Sequence, residues 1–200
     1  MRKNWAALAL TGMLCLTTFA GTQTVSAETA DSAKQVDIVF THDTHSHLNT
    51  FTTIVDEAEK EVGGFARINT LIQEQKAKNP DTLVIDGGDF SMGTLIQTVF
   101  ETQAAEIRML GYMGCDVTTL GNHEFDYRSK GLANMLNSAA ESGDDLPAMV
   151  VCNVDWESME AAGLSEGQQL IRDAFDEYGV SDYVVLEKGE YRHSCRRRFW

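Results

Sequence analysis

Three short polar runs hold residues whose types and spacing suit acid, base or metal chemistry: Thr41-His42-Asp43-Thr44-His45-Ser46-His47, Gly87-Gly88-Asp89 and Gly121-Asn122-His123-Glu124-Phe125-Asp126. Four of the five histidines lie in the first and third runs. Asp43 and His45 are two residues apart, so both can turn to one side of a chain leaving a strand. A carboxylate with an imidazole suits a divalent transition metal better than Ca²⁺ or Mg²⁺ alone. Asp89 follows two glycines, which permit a tight turn and close backbone approach to a ligand, and a carboxylate there can bridge two metals. Asn122 offers a neutral carbonyl oxygen. His123 can face a substrate, and Asp126, three residues on, can hold its imidazole in one tautomer. His42 and His47 carry less signal: each can serve beside the site or lie on a solvent-facing loop.

The elements between the runs explain how they could meet. Val36 to Phe40, Thr82 to Ile85 and Val117 to Leu120 read as strands, and each ends at one polar run. Gly64 to Lys78 reads as a helix with Phe65, Ile68 and Ile72 on one face. Leu95 to Met113 reads as one long helix with Val99, Ile107 and Leu110 towards the core. Ser129 to Ala140 carries the stripe Leu132, Met135, Leu136 and Ala139. Ala148 to Val154 is a further strand, Ser165 to Tyr178 a helix, and Tyr183 to Glu187 begins another strand. Strand alternating with helix predicts an α/β fold with a largely parallel sheet. Ligands of such sheets bind beyond the carboxyl ends of the strands, where the three runs fall.

Bulk properties narrow the partners. The formal net charge of −14 argues against nucleic-acid polymers and anionic membrane surfaces. It leaves small phosphate compounds open, because a metal ion can dominate the local field. Residues 1–27 read as a secretory signal peptide. Arg2 and Lys3 precede an uncharged apolar stretch, and Val25-Ser26-Ala27 offers a cleavage site. Loss of Arg2 and Lys3 leaves 14 basic against 30 acidic residues, a mature charge of −16. The expected location is secreted or extracytoplasmic, with no stable membrane insertion after cleavage. Residues 28–34 read as a disordered mature N-terminus. Cys115, Cys152 and Cys195 have no metal-site spacing and predict no disulfide framework.

Asp43-x-His45, Gly88-Asp89 and Gly121-Asn122-His123-Glu124 together resemble the first three motifs of the calcineurin-like metallophosphoesterases. Gly63-Gly64-Phe65-Ala66-Arg67 and the run through Phe125-Asp126 resemble the secreted 5′-nucleotidase and 2′,3′-cyclic-nucleotide phosphodiesterase branch. The resemblance runs from about Val36 to Lys188. It implies an α/β sandwich of two mixed sheets flanked by helices, incomplete here at the C-terminus. It implies a hydrolase for nucleotides or other small phosphoesters that works with two divalent metal ions such as Mn, Zn or Co. Carried over, Asp43 and His45 bind the first metal, Asp89 bridges both and Asn122 binds the second. His123 stabilises or protonates the leaving oxygen, and Asp126 orients it.

The chain departs from the family after about Lys188. The family's later Gly-His motifs have no counterpart, and His193 is the one histidine after His123. The C-terminal nucleoside-gripping domain that the resemblance implies is expected to be missing from this stretch of sequence. Residues 35–188 therefore read as the N-terminal part of the catalytic domain, with the chain expected to be inactive or nearly so. The alternative is a truncated product that binds metal weakly without catalysis. The segment 189–200, ending Arg196-Arg197-Arg198-Phe199-Trp200, reads as an aberrant tail. One choice of codons for His193 to Trp200, shifted by a base, encodes Ile-Ala-Val-Val-Gly-Val-Phe-Gly. This predicts a frame shift, which sequencing the gene beyond Arg192 tests.

Overall fold

A computed structural model of the chain describes residues 36–189 and 191–195. The expected signal peptide, the segment 28–34 and the last five residues lie outside these. In chain order the elements are β1 (Ile38–Thr41), β2 (Phe51–Val55), β3 (Ala58–Val62), α1 (Phe65–Lys78) and β4 (Leu83–Asp86). A 3₁₀ turn (Leu95–Val99), α2 (Phe100–Gln103), α3 (Ala105–Tyr112) and β5 (Val117–Thr118) follow. Then come a 3₁₀ turn (His123–Phe125), α4 (Arg128–Ala140), β6 (Ala148–Met149), α5 (Trp156–Ala162), α6 (Glu166–Tyr178), β7 (Val184–Lys188) and β8 (Tyr191–Cys195).

The expected α/β architecture is present. Four parallel strands form the main sheet in the order β1-β4-β5-β6. Ile38 pairs with Leu83 and Thr41 with Asp86, so β1 and β4 end level. Each crossover steps one place in the same direction. Right-handed connections then put the crossover helices on one face of the sheet. Val84, Met149 and Val151 join Phe65, Ile72, Ile107, Leu110, Leu132, Met135, Leu136 and Phe175 in a single buried cluster, with Val39 packed against it. The alternate residues of β1 point the other way, and Ile38 and Phe40 stay 54% and 58% exposed. Among the described residues, antiparallel pairing is confined to two hairpins, β2–β3 and β7–β8.

Several features differ from the sequence expectation, among them β5 and β6, which end at Thr118 and Met149, short of the expected Leu120 and Val154. The long helix predicted from Leu95 to Met113 is broken at Ala104, which takes a left-handed conformation (φ 46°). Phe100, Ile107 and Leu110 all stay buried across the break, so apolar spacing gives no sign of it. The β2–β3 hairpin closes on Asp56 and Glu57, both at positive φ, as a two-residue turn matching strand twist requires. Its strands are exposed on both faces except at their ends, so no period-two signal marks them. The helix α5, in a stretch to which the sequence reading assigned no element, is capped by Asp155, whose carboxylate accepts the Ser158 N–H at 3.0 Å.

The helix α6 begins at the expected place because Ser165 and Gln168 form a reciprocal capping box. Beyond Lys188 the chain turns at Gly189 and pairs back, Lys188 opposite Tyr191 and Val184 opposite Cys195. Lys188 also forms an ion pair with Asp116 at 2.8 Å. Cys115, Cys152 and Cys195 are unbridged, as expected.

Leu132 has no exposed surface and belongs to the buried cluster. Leu132→Ala is expected to lower the unfolding free energy by about 3 kcal/mol, the usual cost of a large-to-small core change. Urea unfolding followed by circular dichroism checks this, and a loss below about 1 kcal/mol would place Leu132 outside a close-packed core.

Candidate metal centre

All four main strands point the same way, so the loops after β1, β4 and β5 leave from one edge. Asp86, the buried last residue of β4, ties the strand ends together. Its carboxylate accepts the Thr41 hydroxyl at 2.9 Å, the Thr118 hydroxyl at 2.8 Å and the Gly88 N–H at 3.0 Å. Burial pushes the Asp86 carboxyl above the usual carboxylate range.

Beyond the strands, the first two loops continue as a ladder. Asp43 N–H donates to the Gly88 carbonyl at 3.0 Å, His45 N–H to the Asp89 carbonyl at 3.1 Å and Ser46 N–H to the Phe90 carbonyl at 2.8 Å. The second and third loops meet at glycines. A Cβ on Gly88 would lie 2.6 Å from the Gly121 nitrogen, and one on Gly121 would lie 2.0 Å from Asp89 Oδ1. Both positions demand glycine because the two loops touch there.

The structure brings the six predicted site residues to this edge. Asp43, His45 and Asp89 all have positive φ (51°, 45° and 53°), a region that non-glycine residues occupy mainly where the surroundings force it. Their side chains converge. His45 Nε2 lies 3.8 Å from Asp43 Oδ1, and Asp43 and Asp89 line the same cleft. His45 Nδ1 lies 3.3 Å from the Ser91 carbonyl. With the proton held there, Nε2 presents its lone pair to the site, as ligating histidines do. His123 N–H donates to Asp89 Oδ1 at 2.9 Å. The His45 and His123 rings meet edge to face at 5.0 Å.

His123 and Asp126 pair, Nδ1 to Oδ2 at 2.8 Å. That bond, reinforced by the charges of Asp126, Asp89 and Glu124, holds the imidazole above its usual range. His42 hydrogen-bonds the Asp43 carboxylate and holds that carboxyl below the usual carboxylate range. His47 belongs to loop packing instead. Its Nδ1 lies 3.3 Å from the Thr44 carbonyl and its ring meets Phe51 at 5.4 Å. Arg67 binds the Gly63 carbonyl and Glu61, away from the cluster. The edge opens onto a cleft of about 490 Å³ lined by His42, Asp43, Asp89, Phe40, Val150 and Cys195.

Oxygen and nitrogen donors thus face one another in pairs, which is the chemistry a divalent ion needs. Asn122 sharpens the point. With its amide nitrogen towards Asp89 it donates to Oδ2 at 3.1 Å, and its oxygen accepts from His123 N–H at 3.3 Å. With its oxygen towards Asp89, two acceptors face each other, an arrangement that a cation between them satisfies. Among the described residues no three His, Cys, Asp or Glu side chains already stand in ligating geometry around one point. The donor types fit the group, and Asn122 supplies part of the set.

Sequence reasoning gave no role to two buried carboxylates beneath these loops. Glu106 on α3 accepts the Ser46 hydroxyl at 2.7 Å, and its other oxygen has no partner. Glu124 accepts backbone N–H groups of Asp89, Ser91 and Gly121. The signal for Glu106 was its place beside Ile107 and Leu110, on the face of the helix that turns to the core. Burial pushes the Glu106 carboxyl above the usual range. The penalty for its charge is absent below the ordinary glutamate value of about 4.3. It grows as pH rises through the folded value. Glu106→Gln is expected to melt above the parent near neutral pH and to lose that advantage near pH ~4. Thermal melts across this range check it; an advantage independent of pH would sink the explanation.

A parallel α/β sheet whose strand-end loops gather carboxylates, imidazoles and an amide is a scaffold suited to metal-dependent hydrolysis. The sequence profile described as calcineurin-like phosphoesterase matches residues 36–193, and the chain belongs to that family of phosphoric ester hydrolases. It is 34% identical over 158 residues to the "Probable 5'-nucleotidase" of Treponema pallidum (strain Nichols), covering 77% of this chain and 26% of that protein. It is 36% identical over 110 residues to a 5'-nucleotidase of Mus musculus, covering 54% of this chain and 19% of that one. The crystal structure of a 5'-nucleotidase precursor from Thermus thermophilus superposes with a TM-score of 0.62 at 25% identity, over 80% of this chain and 27% of that one. The calcineurin-like phosphoesterase YfkN from Bacillus subtilis shares the fold, with a TM-score of 0.52 at 23% identity over 80% of this chain and 46% of that one. The chain spans a fifth to a third of the length of the curated relatives named first among its matches.

Proposed function

We propose that this chain carries the metal-binding and leaving-group half of a phosphoester hydrolase acting on nucleotides, placed outside the cytoplasm. The observation supporting the reading most directly is the gathering of Asp43, His45, Asp89 and Asn122 beside the His123–Asp126 pair. Nucleotide substrates are favoured by the relatives described as 5'-nucleotidases and, in Haemophilus influenzae, as an NAD 5'-nucleotidase. Arg2, Lys3 and the apolar stretch after them favour export, and among the described residues no helix is long and apolar enough to cross a membrane.

Divalent metal bound at this edge would supply a hydroxide nucleophile and polarise the phosphoryl oxygens. The chain's own residues do the rest. Asp43 and Asp89 offer negative oxygens, and His45 presents Nε2. Asp126 fixes the proton of His123 on Nδ1, leaving Nε2 to hold a proton at the leaving oxygen. The net negative charge disfavours a nucleic-acid polymer as substrate.

Calorimetric titration of the purified chain with Mn²⁺, Co²⁺ and Zn²⁺, followed by a phosphate-release assay on AMP, tests the proposal. Saturable metal binding is expected, with any phosphate release dependent on metal. A chain that binds none of the three ions would overturn the reading. A second reading, metal binding without turnover, is favoured by the small donor set: four ligating residues for two ions. Saturable binding with no phosphate release identifies it.

A further inference from the structure

We propose that Glu124 is the positioning residue of this site, holding Asp89 and Asn122 in place before any metal arrives. The inference rests on the metal-site reading above. Glu124 has no exposed surface. One carboxylate oxygen accepts the Asp89 N–H at 3.0 Å and the Gly121 N–H at 2.6 Å. The other accepts the Ser91 N–H at 3.0 Å and the Ser91 hydroxyl at 2.8 Å. Four donors occupy the four acceptor positions of one carboxylate. Three are backbone amides in turns that no strand or helix satisfies, and leaving them unpaired in a buried place is costly.

The consequence is a two-way lock between the loops after β4 and β5. Glu124, from the later loop, holds the backbone of Asp89. Asp89 Oδ1, from the earlier loop, accepts the His123 N–H at 2.9 Å. Asn122 lies between Gly121 and His123, so both of its neighbours are fixed by this exchange. Asp89 needs the hold, because its φ of 53° is one that non-glycine residues seldom adopt unaided. Direct contact at Gly88 and Gly121 leaves no slack for the loops to settle elsewhere. Both oxygens of Glu124 are taken by these protein donors, so it acts through Asp89 and Asn122.

The side chain cannot be replaced without a distinct failure. Glutamine keeps the size, but its amide N–H groups must face either the Asp89 and Gly121 amides or those of Ser91. Aspartate keeps the charge, but one methylene less cannot reach both loops. Ser91 offers a milder probe, since Ser91→Ala removes one of four donors.

The test uses the whole chain with Glu124→Gln, Glu124→Asp, Ser91→Ala and, as a control of core stability alone, Leu132→Ala. Hydrogen exchange of the Asp89, Ser91 and Gly121 amides is measured without metal, and Mn²⁺ affinity by calorimetry. In Glu124→Gln those three amides are expected to exchange at least about tenfold faster, and Mn²⁺ affinity to fall at least about tenfold, the scale of a lost charged hydrogen bond. Glu124→Asp is expected to weaken Mn²⁺ binding in the same direction. Leu132→Ala is expected to lose stability yet keep the parent's Mn²⁺ affinity. Ser91→Ala is expected to lose about threefold in affinity, as for one neutral donor. If Glu124→Gln and Ser91→Ala both bind Mn²⁺ like the parent, Glu124 is structural only and the inference fails. If Glu124→Gln does not fold, an unchanged affinity in Ser91→Ala overturns it. A parent chain that binds no Mn²⁺ overturns the metal reading itself, and the role of Glu124 with it.

Discussion

Asp89→Ala is expected to remove tight Mn²⁺ binding and, in any form of the protein that releases phosphate from AMP, to lower the rate by about 10³-fold or more. On the proposed reading this carboxylate serves both metal positions, so its loss acts twice on the hydroxide and on the phosphoryl oxygens. A factor of 10³ corresponds to about 4 kcal/mol of transition-state stabilisation, a modest share of what paired metals contribute. Asp89 also accepts the His123 N–H through Oδ1, so alanine additionally frees the start of the third loop. Asp89→Asn separates the two effects. It keeps an oxygen for the His123 N–H and loses the charge. Metal affinity is therefore expected to fall in both variants, while the thermal stability of Asp89→Asn stays nearer the parent. Tight Mn²⁺ binding retained by Asp89→Ala would remove this residue from the ligand set.

The polar runs were legible because each follows an apolar strand and because glycine marks the close contacts. Val84 and its neighbours read as a buried strand and are one, so Asp89 could be placed at a sheet edge from sequence alone. Helices with a single apolar stripe, such as the one bearing Leu132 and Leu136, were legible for the same reason. What escaped has a physical cause in each case. The β2–β3 hairpin is exposed on both faces and carries no alternation. Ala104 breaks a helix without disturbing the spacing of Phe100 and Ile107. Glu106 and Glu124 are buried carboxylates, and composition cannot distinguish them from surface charge. Their partners are a serine hydroxyl and backbone amides, so no basic residue in the sequence points to them. His47 shows the converse: a histidine inside the motif run whose contacts are a local carbonyl and Phe51.

His123→Ala is expected to lower phosphate release by about 10²- to 10⁴-fold, the span usual for a positioned acid or base, while Mn²⁺ affinity stays near that of the parent. The geometry separates this residue from the ligands. Its Nδ1 is taken by Asp126 at 2.8 Å, and its backbone N–H, not its ring, contacts Asp89. The Asp126 hydrogen bond, more than any other influence, holds the imidazole above its ordinary range. The proton on the ring therefore persists to higher pH than in a free histidine. A group that donates this proton to a leaving oxygen is competent below its raised value and fails above it, so the alkaline limb of the rate profile reports it. Asp126→Asn weakens the hold and is expected to move that limb towards lower pH, with the NMR titration of the His123 ring in the metal-free chain moving the same way. The pair also stabilises the fold slightly below the ordinary histidine range near pH ~6.5, and that contribution fades as pH rises through the raised value. Both side chains face solvent, so screening keeps it small. The decisive comparison is metal content. If His123→Ala loses Mn²⁺ as Asp89→Ala does, the ring is a ligand and the proton must come from another group at this edge.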